Sequence, residues 1–547
     1  MPLINFGYGD LCGLLGEEVP RETLMERIPM IGADMHSGDT GGDAMSVEFF
    51  PDRPDLFCVE GMARALRPFL GLGGAPSYEV FESEVSFIVE DSVRGVRPYA
   101  ACAIVRGVDV DDRVLKSMMD MQEKMHVTVG RKRAKLAIGI HDLSAVRPPF
   151  TYKAVKPNEI RFVPLASEEE MDLDGVLEKH PKGREFAHLL EGKDRYPVIV
   201  DADGVVLSFP PIINGEATTV RVGKRDLLID VTGTEPRAVK TALDLVSTAL
   251  AERGGTIYSV ETFEGGRSFI APDLTPTSWC ITSGECSAHL GIKLKPKEIV
   301  EALRRMGYAA HSDGGRVNVD VPAIRVDIMH KVDLYEDVAI GHGYERFGGR
   351  HGQTQTTGSL MPSTRFSEGI RDLLVGLGYT EVVTLTLSSE RDEFELPRIP
   401  AKGTVKLLNP ISEDHTCLRA SLFPSLMRVF RKNKHRDLPQ RIFEIGDVVD
   451  GSRRKGRVCV AEVDSRSSFT GIKSVAETLL RETCTEYALE PSALGTFIDG
   501  RGAEVVSGGE TVGWFGEVSP AVLEDFEISH PMAFVELDLA PMARKRG

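Results

Sequence analysis

Residues 326–344 read VDIMHKVDLYEDVAIGHGY, and they combine a helical pattern with a dense group of carboxylates. A helix from about Lys331 to Ile340 would carry its acidic residues at positions i, i+3 and i+4, which share one helix face. These residues are Asp333, Glu336 and Asp337, and Asp327 lies just upstream, at the exit of a predicted strand. The stretch therefore predicts a helix with a concentrated negative charge at one end of a small structural module.

Four carboxylates close together repel one another unless a cation or water offsets their charge. An all-oxygen set suits a hard cation such as Mg²⁺ or Ca²⁺ better than zinc. An acidic helix face that is only solvated fits the same spacing, and such faces are common in acidic proteins. Both interpretations stay open on the spacing alone.

The residues before this stretch complete a helix, strand, helix pattern. A helix is predicted to begin at Pro296 and to end at Gly307, a favourable C-terminal cap. Its apolar stripe consists of Ile299, Val300, Leu303 and Met306. The following RVNVDVP alternates as a strand. This pattern defines a module over residues 266–350.

Composition breaks near residues 80, 265 and 350 divide the rest of the chain. Residues 1–80 form an N-terminal domain that closes with a helix from Val59 to about Arg67, before Pro68. Residues 81–265 mix short strands with helices, including 236–251, which is an α+β pattern. Residues 351–547 are predicted to form a mostly antiparallel sheet with flanking helices, and the predicted strands include 381–387, 404–408, 440–449, 457–463 and 533–537. The fold class is therefore multidomain α+β.

Overall composition limits the function classes. The chain has 547 residues, 65 Lys and Arg against 82 Asp and Glu, and so a net charge of −17. This charge argues against indiscriminate coating of nucleic acid, because phosphate binding depends on clustered basic residues. The eight cysteines contain no CxxC pair, and no leader or membrane-spanning stretch is recognisable. We expect a protein of the reducing cytoplasm that makes no membrane contact.

Polar residues in the middle of the chain mark a candidate pocket. The string FPPIINGEATTV, residues 209–220, places Asn214 and Glu216 on a turn, and DLLIDVTGTEP, residues 226–236, carries Thr232 and Thr234 at a strand end. His141 and Asp142 form an adjacent acid–base pair that could activate water. An ordinary hairpin loop accounts equally for the residues of the two strings, and adjacent strand residues such as His141 and Asp142 point to opposite faces.

Two basic runs stand out against the negative whole. Residues 130–135 read GRKRAK, and residues 428–436 read RVFRKNKHR. Each could meet a phosphate backbone, and each could equally be a solvated face.

Several strings, taken in order, resemble the β subunit of phenylalanyl-tRNA synthetase in its archaeal and eukaryotic form. These are VEFFPDRPDLFCVEGMARAL, FPPIINGE with IDVTGTE, VPAIRVDIMHKVDLYEDVAIGHGY, NPISEDHTCLRASLFPSLM with RIFEIGDVV, and FTGIKSVAETLL. Together they span essentially the whole chain. Five unrelated strings in one order are more specific than any one motif.

The resemblance implies an architecture and a function. Residues 81–265 would form an editing-type α/β domain, and residues 351–547 a class II synthetase-like domain without catalysis. The acidic and apolar residues of RIFEIGDVV offer no obvious arginine for the ATP phosphate, and SHPMAFVELDLAPM contains no glycine-rich turn with an arginine. A partner α subunit would bind ATP and L-phenylalanine and charge tRNA(Phe), in an (αβ)₂ heterotetramer. The helix around 367–377 would contribute to the α-subunit interface. This chain would support that ligase and hydrolyse mischarged Tyr-tRNA(Phe); the alternative is a non-enzymatic scaffold for the α subunit and tRNA.

The resemblance also assigns candidate site residues. Asp327, Asp333, Glu336 and Asp337 match the family's Mg²⁺ ligands. For editing, Asn214 and Glu216 are predicted near the tyrosine hydroxyl or the terminal adenosine, and Thr234 or His141 near the attacking water. An apolar pocket rejects an added hydroxyl only about 10²-fold, so a second hydrolytic site improves fidelity.

A regulator that binds DNA through the helix, strand, helix module is disfavoured, because residues 330–344 are acidic rather than basic.

Overall fold

The computed structural model describes residues 2–35, 42–349, 351–352, 356–401, 403–451 and 453–543. These form two compact units that divide between His351 and Gly352. The protein is thus a mixed α/β multidomain chain. The predicted boundary residue 350 lies outside the described residues.

The N-terminal segment is a small three-stranded antiparallel sheet covered by helices. Its elements are β1 (Leu3–Gly7), α1 (Tyr8–Leu15), α2 (Arg21–Arg27), β2 (Ala33–Met35), β3 (Ala44–Phe49) and α3 (Val59–Leu70). The strand order is β1-β3-β2. Helix α3 continues through Pro68, where the sequence predicted an end, and stops at Gly71, whose φ of 79° gives a left-handed cap. A proline in the last turn is tolerated because the backbone amides of residues 71 and 72 still close that turn.

The middle of the first unit is built on an eleven-stranded sheet. Its strands and the short ribbon beside it are β4 (Val80–Phe81), β5 (Ser86–Val89), β6 (Tyr99–Val110), β7 (Leu136–Asp142), β8 (Phe150–Val155), β9 (Arg161–Phe162), β10 (Met171–Asp172), β11 (Tyr196–Val200), β12 (Val206–Phe209), β13 (Ile213–Asn214), β14 (Gly223–Gly233), β15 (Thr256–Glu264) and β16 (Arg267–Ala271). The main path is β13-β12-β11-β8-β5-β15-β6-β14-β7, with β4 and β16 paired to β15. The ribbon consists of β9 and β10.

Four helices accompany this sheet. They are α4 (Asp112–Val127), α5 (Leu173–Lys179), α6 (Pro181–Phe186) and α7 (Pro236–Glu252). The predicted helix from residue 236 is confirmed as α7, which begins where Glu235 accepts hydrogen bonds from two backbone amides. Its apolar face, including Val239, Leu243 and Val246, packs with β6, β7 and β14 in one core. This packing fixes the strands that carry the candidate site.

The predicted helix, strand, helix pattern is confirmed at the end of the first unit. Its elements are β17 (Thr277–Thr282), α8 (Ser283–Leu290), α9 (Pro296–Arg305), β18 (Ala309–Asp313), β19 (Arg316–Val321) and α10 (Lys331–His342). Helix α10 begins with a reciprocal cap between His330 and Asp333. The sequence pattern did not predict α8, β17 and β18, which flank the three recognised elements.

The second unit is a seven-stranded, mostly antiparallel sheet with helices. Its elements are α11 (Pro362–Gly376), β20 (Thr380–Glu381), β21 (Leu387–Ser388), β22 (Cys417–Leu418), α12 (Phe423–Lys432), β23 (Gln440–Asp450), β24 (Arg453–Val463), α13 (Phe469–Glu482), β25 (Ala488–Pro491), β26 (Phe497–Ser507), β27 (Glu510–Val518), α14 (Pro520–Asp525), β28 (Met532–Asp538) and α15 (Leu539–Ala543). The order is β20-β23-β24-β28-β27-β26-β25. Among the strand pairs of this sheet that the structure describes, β20 and β23 alone run parallel.

Two predicted strands of this unit are largely irregular. The stretch 381–387 contributes only its ends to β20 and β21, and 404–408 pairs through a single bridge between Lys406 and Cys417. Alternating apolar residues predicted both strands, but several of these side chains are exposed, including Val383 and Leu408. The pattern therefore marked an apolar surface ribbon rather than a core strand. No helix of the described residues is long and apolar enough to cross a membrane.

A buried carboxyl in this unit predicts a pH-dependent stability. Burial raises the pKa of Glu393 to about 7, although its carboxylate accepts hydrogen bonds from the amides of Ala420 and Ser421. Between about pH 4.5 and 7 the unfolded chain loses this proton while the folded chain keeps it, so stability falls by up to about 3 kcal/mol. We expect Glu393→Gln to remove this loss, because the glutamine carbonyl accepts the same two amides.

Urea unfolding at pH 5 and pH 8 measures this effect. Trp514 reports on the second unit, and a Trp279→Phe background removes the tryptophan of the first. Exposed Glu390 provides the matched control, since Glu390→Gln removes a carboxyl that carries no such burial. An equal loss of stability with pH in wild type and Glu393→Gln would contradict the assignment.

Candidate functional site

A cavity of about 520 Å³ opens between α4, strands β7 and β14, and the segment around β13. Most of its wall is apolar. The polar and charged residues of its wall are Gln122, Glu123, His126, Arg133, Lys182, Ser208, Asn214, Thr218, Thr219, Asp230 and Thr232. Its volume and its mixed lining are those of a small-molecule pocket.

Five polar side chains of the cavity wall are buried: His126, Ser208, Thr218, Asp230 and Thr232. Asp230 is 1% exposed, Thr232 is fully buried and Ser208 is 2% exposed. Asp230 and Thr232 are two residues apart on β14 and so share a face of the strand. The Ser208 hydroxyl has no hydrogen-bond partner among the described residues. A buried hydroxyl without a partner is costly in a native fold, and it is available to a ligand that enters the cavity.

His141 lies directly behind this wall and joins two of its residues. Its Nε2 is 2.6 Å from Asp230 Oδ2, and its Nδ1 is 2.8 Å from Thr218 Oγ1. The Thr218 hydroxyl also lies 3.2 Å from the carbonyl oxygen of Gly215. The imidazole thereby fixes the orientation of the Asp230 carboxylate. His141 itself is fully buried.

Gly139 permits this close arrangement. A Cβ atom at residue 139 would lie 2.1 Å from Asp230 Oδ2 and 2.6 Å from His141 Nε2. Both distances are far below van der Waals contact. The Asp230 side chain can therefore reach His141 across β7 only because residue 139 has no side chain.

An arginine holds another part of the cavity wall. Arg133 Nη1 donates to the carbonyls of Pro211 and Ile212, at 3.3 and 2.8 Å. Its guanidinium also lies 3.2 Å from the Glu123 carboxylate and stacks over Phe186 at 4.3 Å. These contacts fix the proline-rich loop that leads into β13.

The structure places the predicted editing residues at different distances from the cavity. Asn214 lines it, and His141 stands one layer behind it. Glu216 is outside the lining, where its carboxylate accepts from the amide of Ala166 at 3.3 Å. Thr234 is exposed, and its hydroxyl donates to the carbonyl of Ala134. Their catalytic roles stay predictions.

Sequence reasoning did not select Ser208 and Asp230, and it noted Thr232 only beside Thr234. The signal for Asp230 was present, since a single carboxylate interrupts the apolar run LLIDV. Burial of such a residue requires a partner. Pairing of β14 with β7 places His141 opposite Leu228, two residues from Asp230, and supplies that partner.

The predicted metal residues lie around the start of α10 and are not equivalent. Asp337 is buried, Asp333 is half-buried and Glu336 is exposed. Asp333 Oδ2 accepts the amides of Met329 and His330, both at 2.7 Å, and so caps the helix. Partial loss of solvent around its carboxyl, followed by the charges of Asp337, Asp333, Asp52 and Asp327, raises the pKa of Glu336. Negative charge around Glu336 is thus incompletely offset.

Arg325 neutralises the other two carboxylates. Its Nη2 lies 2.7 Å from Asp327 Oδ2 and 2.5 Å from Asp337 Oδ2, and Tyr308 donates to Asp337 as well. The guanidinium is buried and stacks over the Tyr308 ring. Across the ranges that the structure describes, no three His, Cys, Asp or Glu side chains are arranged to hold a metal ion. As arranged, Asp327 and Asp337 bind this arginine.

Comparison with known proteins gives a consistent family. Residues 351–539 match the family model described as phenylalanyl tRNA synthetase beta chain CLM domain, and residues 281–344 match the tRNA synthetase B5 domain. The chain is 44% identical over 542 residues to the phenylalanine–tRNA ligase beta subunit of Methanothrix thermoacetophila, with 99% of this chain and 100% of the relative covered. It is 42% identical to the protein of the same name from Archaeoglobus fulgidus, with 99% and 98% covered.

A solved structure supports the same relationship for the first unit. An N-terminal fragment of the phenylalanyl-tRNA synthetase beta subunit from Pyrococcus horikoshii aligns with a TM-score of 0.60 and 38% identity. The alignment covers 63% of this chain and all of that fragment. The candidate cavity lies in the first unit.

Proposed function

Because the chain belongs to the family of phenylalanine–tRNA ligase beta subunits, we propose that its cavity hydrolyses mischarged Tyr-tRNA(Phe). In this proposal an alpha subunit attaches L-phenylalanine to tRNA(Phe) with ATP, within an (αβ)₂ heterotetramer. The chain then divides into an N-terminal domain (1–80), an editing domain (81–265), an acidic module (266–350) and a synthetase-like domain without catalysis (351–547). End-to-end similarity to the relatives supports this division of labour.

The buried charges of the second unit support the absence of catalysis there. A synthetase site needs arginines that are free to bind the phosphates of ATP. Two arginines are buried at its sheet, and both are engaged: Arg419 with Glu444 at 2.8 Å, and Arg457 with Glu536 at 2.9 Å. Breaking such a buried pair leaves an uncompensated charge and costs about 3–5 kcal/mol. Neither arginine can bind ATP without breaking its buried ion pair.

An exposed apolar ribbon supports docking of the alpha subunit on the second unit. The ribbon consists of residues 383–388, 404–411 and 416–419, joined by backbone hydrogen bonds. Its most exposed side chains are Val383 (89%), Leu385 (66%), Leu408 (93%) and Ile411 (105%). Exposed apolar side chains clustered in this way mark protein interaction sites. In the heterotetramer we assign this ribbon to the alpha-subunit contact.

The observation that carries the editing proposal is the set of buried polar groups in the cavity wall. Asp230 and the partner-free Ser208 hydroxyl offer an acceptor and a hydroxyl to a ligand in an otherwise largely apolar pocket. Such a pocket favours tyrosine over phenylalanine, because the extra hydroxyl gains a partner instead of being buried without one. The selectivity is the reverse of that needed for phenylalanine activation.

Hydrolysis of the ester needs a positioned water more than a strong base, because an aminoacyl ester is already activated. In the proposal Asp230, oriented by His141, holds either the tyrosine hydroxyl or that water. Asn214 lines the cavity and contacts the same substrate. Glu216 and Thr234 keep their predicted roles near the terminal adenosine and the water, at the edge of the site.

The proposal is tested with the purified complex of this chain and its alpha subunit. Tyr-tRNA(Phe) should be hydrolysed faster than in buffer alone, and Phe-tRNA(Phe) should be spared. Phenylalanylation should require both chains. No hydrolysis of Tyr-tRNA(Phe), together with normal phenylalanylation, would favour the scaffold without editing.

Binding of Mg²⁺ by Asp327, Asp333, Glu336 and Asp337 is a separate part of the proposal. The raised pKa of Glu336 supports it, because a cation would offset the surrounding charge. The ion pairs of Arg325 oppose it, because two of the four ligands would have to leave that guanidinium. No step of the editing chemistry depends on this ion.

Thermal unfolding with and without Mg²⁺ tests whether these four carboxylates bind the ion. If the ion binds, Mg²⁺ raises the melting temperature of the wild type, and Asp333→Asn with Glu336→Gln abolishes the shift. At a concentration 100 times the Kd, the stabilisation is about 2.7 kcal/mol. An identical melting temperature in Mg²⁺ and in EDTA would mean that Arg325 is the resident cation of this cluster.

A further inference from the structure

Three consecutive residues at the edge of the cavity adopt a left-handed backbone. Arg131, Lys132 and Arg133 have φ angles of 47°, 53° and 66°. Residues other than glycine are disfavoured in this conformation, because Cβ lies too close to the following carbonyl oxygen, and they normally occur in it singly. A run of three persists only where the surrounding structure enforces it. We define residues 130–135 as the basic turn.

A buried arginine enforces the basic turn and ties it to the cavity wall. Arg97 is 3% exposed, and its Nη1 donates to the carbonyls of Arg133 and Ala134 at 3.2 and 3.4 Å. Its Nε and Nη2 donate to the hydroxyl and carbonyl of Thr232 at 3.0 and 2.8 Å. One rigid guanidinium thus fixes the turn against a residue of the cavity.

Hydrogen bonds to α4 and to the end of β14 hold the basic turn from its other side. The amides of Lys132 and Arg133 donate back to the carbonyls of Val127 and His126 at the end of α4. The Thr234 hydroxyl and amide donate to the carbonyls of Ala134 and Lys135. The turn is therefore held by α4, by the end of β14 and by Arg97 at once.

The bracing directs the basic side chains to different places. Arg133 turns inward, and its guanidinium lines the cavity. Arg131 and Lys132 are exposed, and neither side chain has an ion-pair partner among the residues that the structure describes. Two positive charges, free of any acidic neighbour that would pair with them, thus stand at the edge of a pocket in a chain of net charge −17.

We propose that the basic turn binds the phosphodiester backbone of the 3′ end of tRNA, with Arg131 and Lys132 each contacting a phosphate while the terminal aminoacyl ester enters the cavity. This inference rests on the proposed editing function, and it identifies the part of the substrate that the edge of the site recognises. A fixed turn loses little entropy when it binds, which is the advantage of preorganised contacts. The strained backbone holds the two charges in place for this purpose.

Arg131→Gly with Lys132→Gly is the informative variant. Glycine adopts positive φ without strain, so the double variant removes both charges while it favours the native backbone. Its melting temperature should equal or exceed that of the wild type. Arg147→Gly is the matched control, because Arg147 is 80% exposed in the same domain and lies outside the cavity wall.

Two measurements on the complete complex test the inference. The KM for hydrolysis of Tyr-tRNA(Phe) should rise about tenfold in the double variant, and the slope of log KM against log salt should fall by about 1.4, since each single-strand phosphate contact contributes about 0.7. Direct binding of the tetranucleotide ACCA, followed by fluorescence anisotropy, should weaken to a similar degree. Arg147→Gly should change neither quantity.

The outcomes separate this inference from the editing proposal. If the double variant binds ACCA and hydrolyses Tyr-tRNA(Phe) like the wild type, the basic turn is not the phosphate site, and editing stands. If the wild type binds ACCA through this turn but hydrolyses nothing, editing fails, and the RNA site stands. If ACCA does not bind the wild type and the salt slope of the double variant is unchanged, the inference is overturned.

Discussion

Asp230→Asn is expected to lower the hydrolysis of Tyr-tRNA(Phe) about 10²-fold, because the carboxylate that positions the tyrosine hydroxyl or the attacking water is lost. The substitution keeps the size of the side chain and removes its charge. The carboxylate is buried at the cavity wall and is oriented by His141 at 2.6 Å. Single-turnover hydrolysis of purified Tyr-tRNA(Phe) by the complex gives the rate directly.

Asp226→Asn provides the control for this experiment. Asp226 lies on the same strand, is exposed, and hydrogen-bonds the amide of Gly107 away from the cavity. Asn214→Ala and Glu216→Ala in the same assay test the residues that sequence reasoning selected. A rate for Asp230→Asn within threefold of the wild type would remove Asp230 from the mechanism and return attention to those two.

The candidate site shows which signals a sequence carries. The turn at residues 209–216 was recognisable, because prolines and glycine restrict the backbone there, and the cavity does use Asn214. Asp230 was missed, because strand pairing rather than local pattern brings it to His141 across β7 and β14. A register of two strands that are about ninety residues apart cannot be read from spacing. The contact between Asp230 and His141 places Asp230 in the cavity wall, and no sequence motif indicates that contact.

The fold shows the same difference: elements set by local sequence were predicted, and features set by long-range contacts were not. Helices α7, α9 and α10 were predicted, because apolar periodicity and caps are local properties. The predicted strands at 381–387 and 404–408 were largely wrong, because alternation indicates an apolar face and not what covers it. In the sequence, the basic turn was recognised only as a run of basic residues. Its left-handed backbone depends on Arg97, which is distant in sequence and carries no local signal.

The second large effect is expected for substitutions in the exposed apolar ribbon of the second unit. Leu385→Lys with Leu408→Lys is expected to weaken binding of the alpha subunit by at least 10²-fold. Buried apolar anchors at a protein interface contribute about 2 kcal/mol or more each, and a buried lysine adds a desolvation penalty. Folding of the unit should be unaffected, because both leucines are already 66% and 93% exposed in the isolated chain. Surface plasmon resonance with the immobilised alpha subunit measures the affinity.

Loss of the complex should abolish phenylalanylation at nanomolar enzyme and restore it at high concentrations of both chains. That concentration dependence distinguishes failed assembly from a damaged site, which no excess of partner repairs. Tyr487→Lys is the matched control, because Tyr487 is 37% exposed beside β25, at the edge of the sheet opposite β20. If the double lysine variant binds the alpha subunit as tightly as Tyr487→Lys does, the ribbon is not the docking surface. Its exposed leucines would then require a different partner.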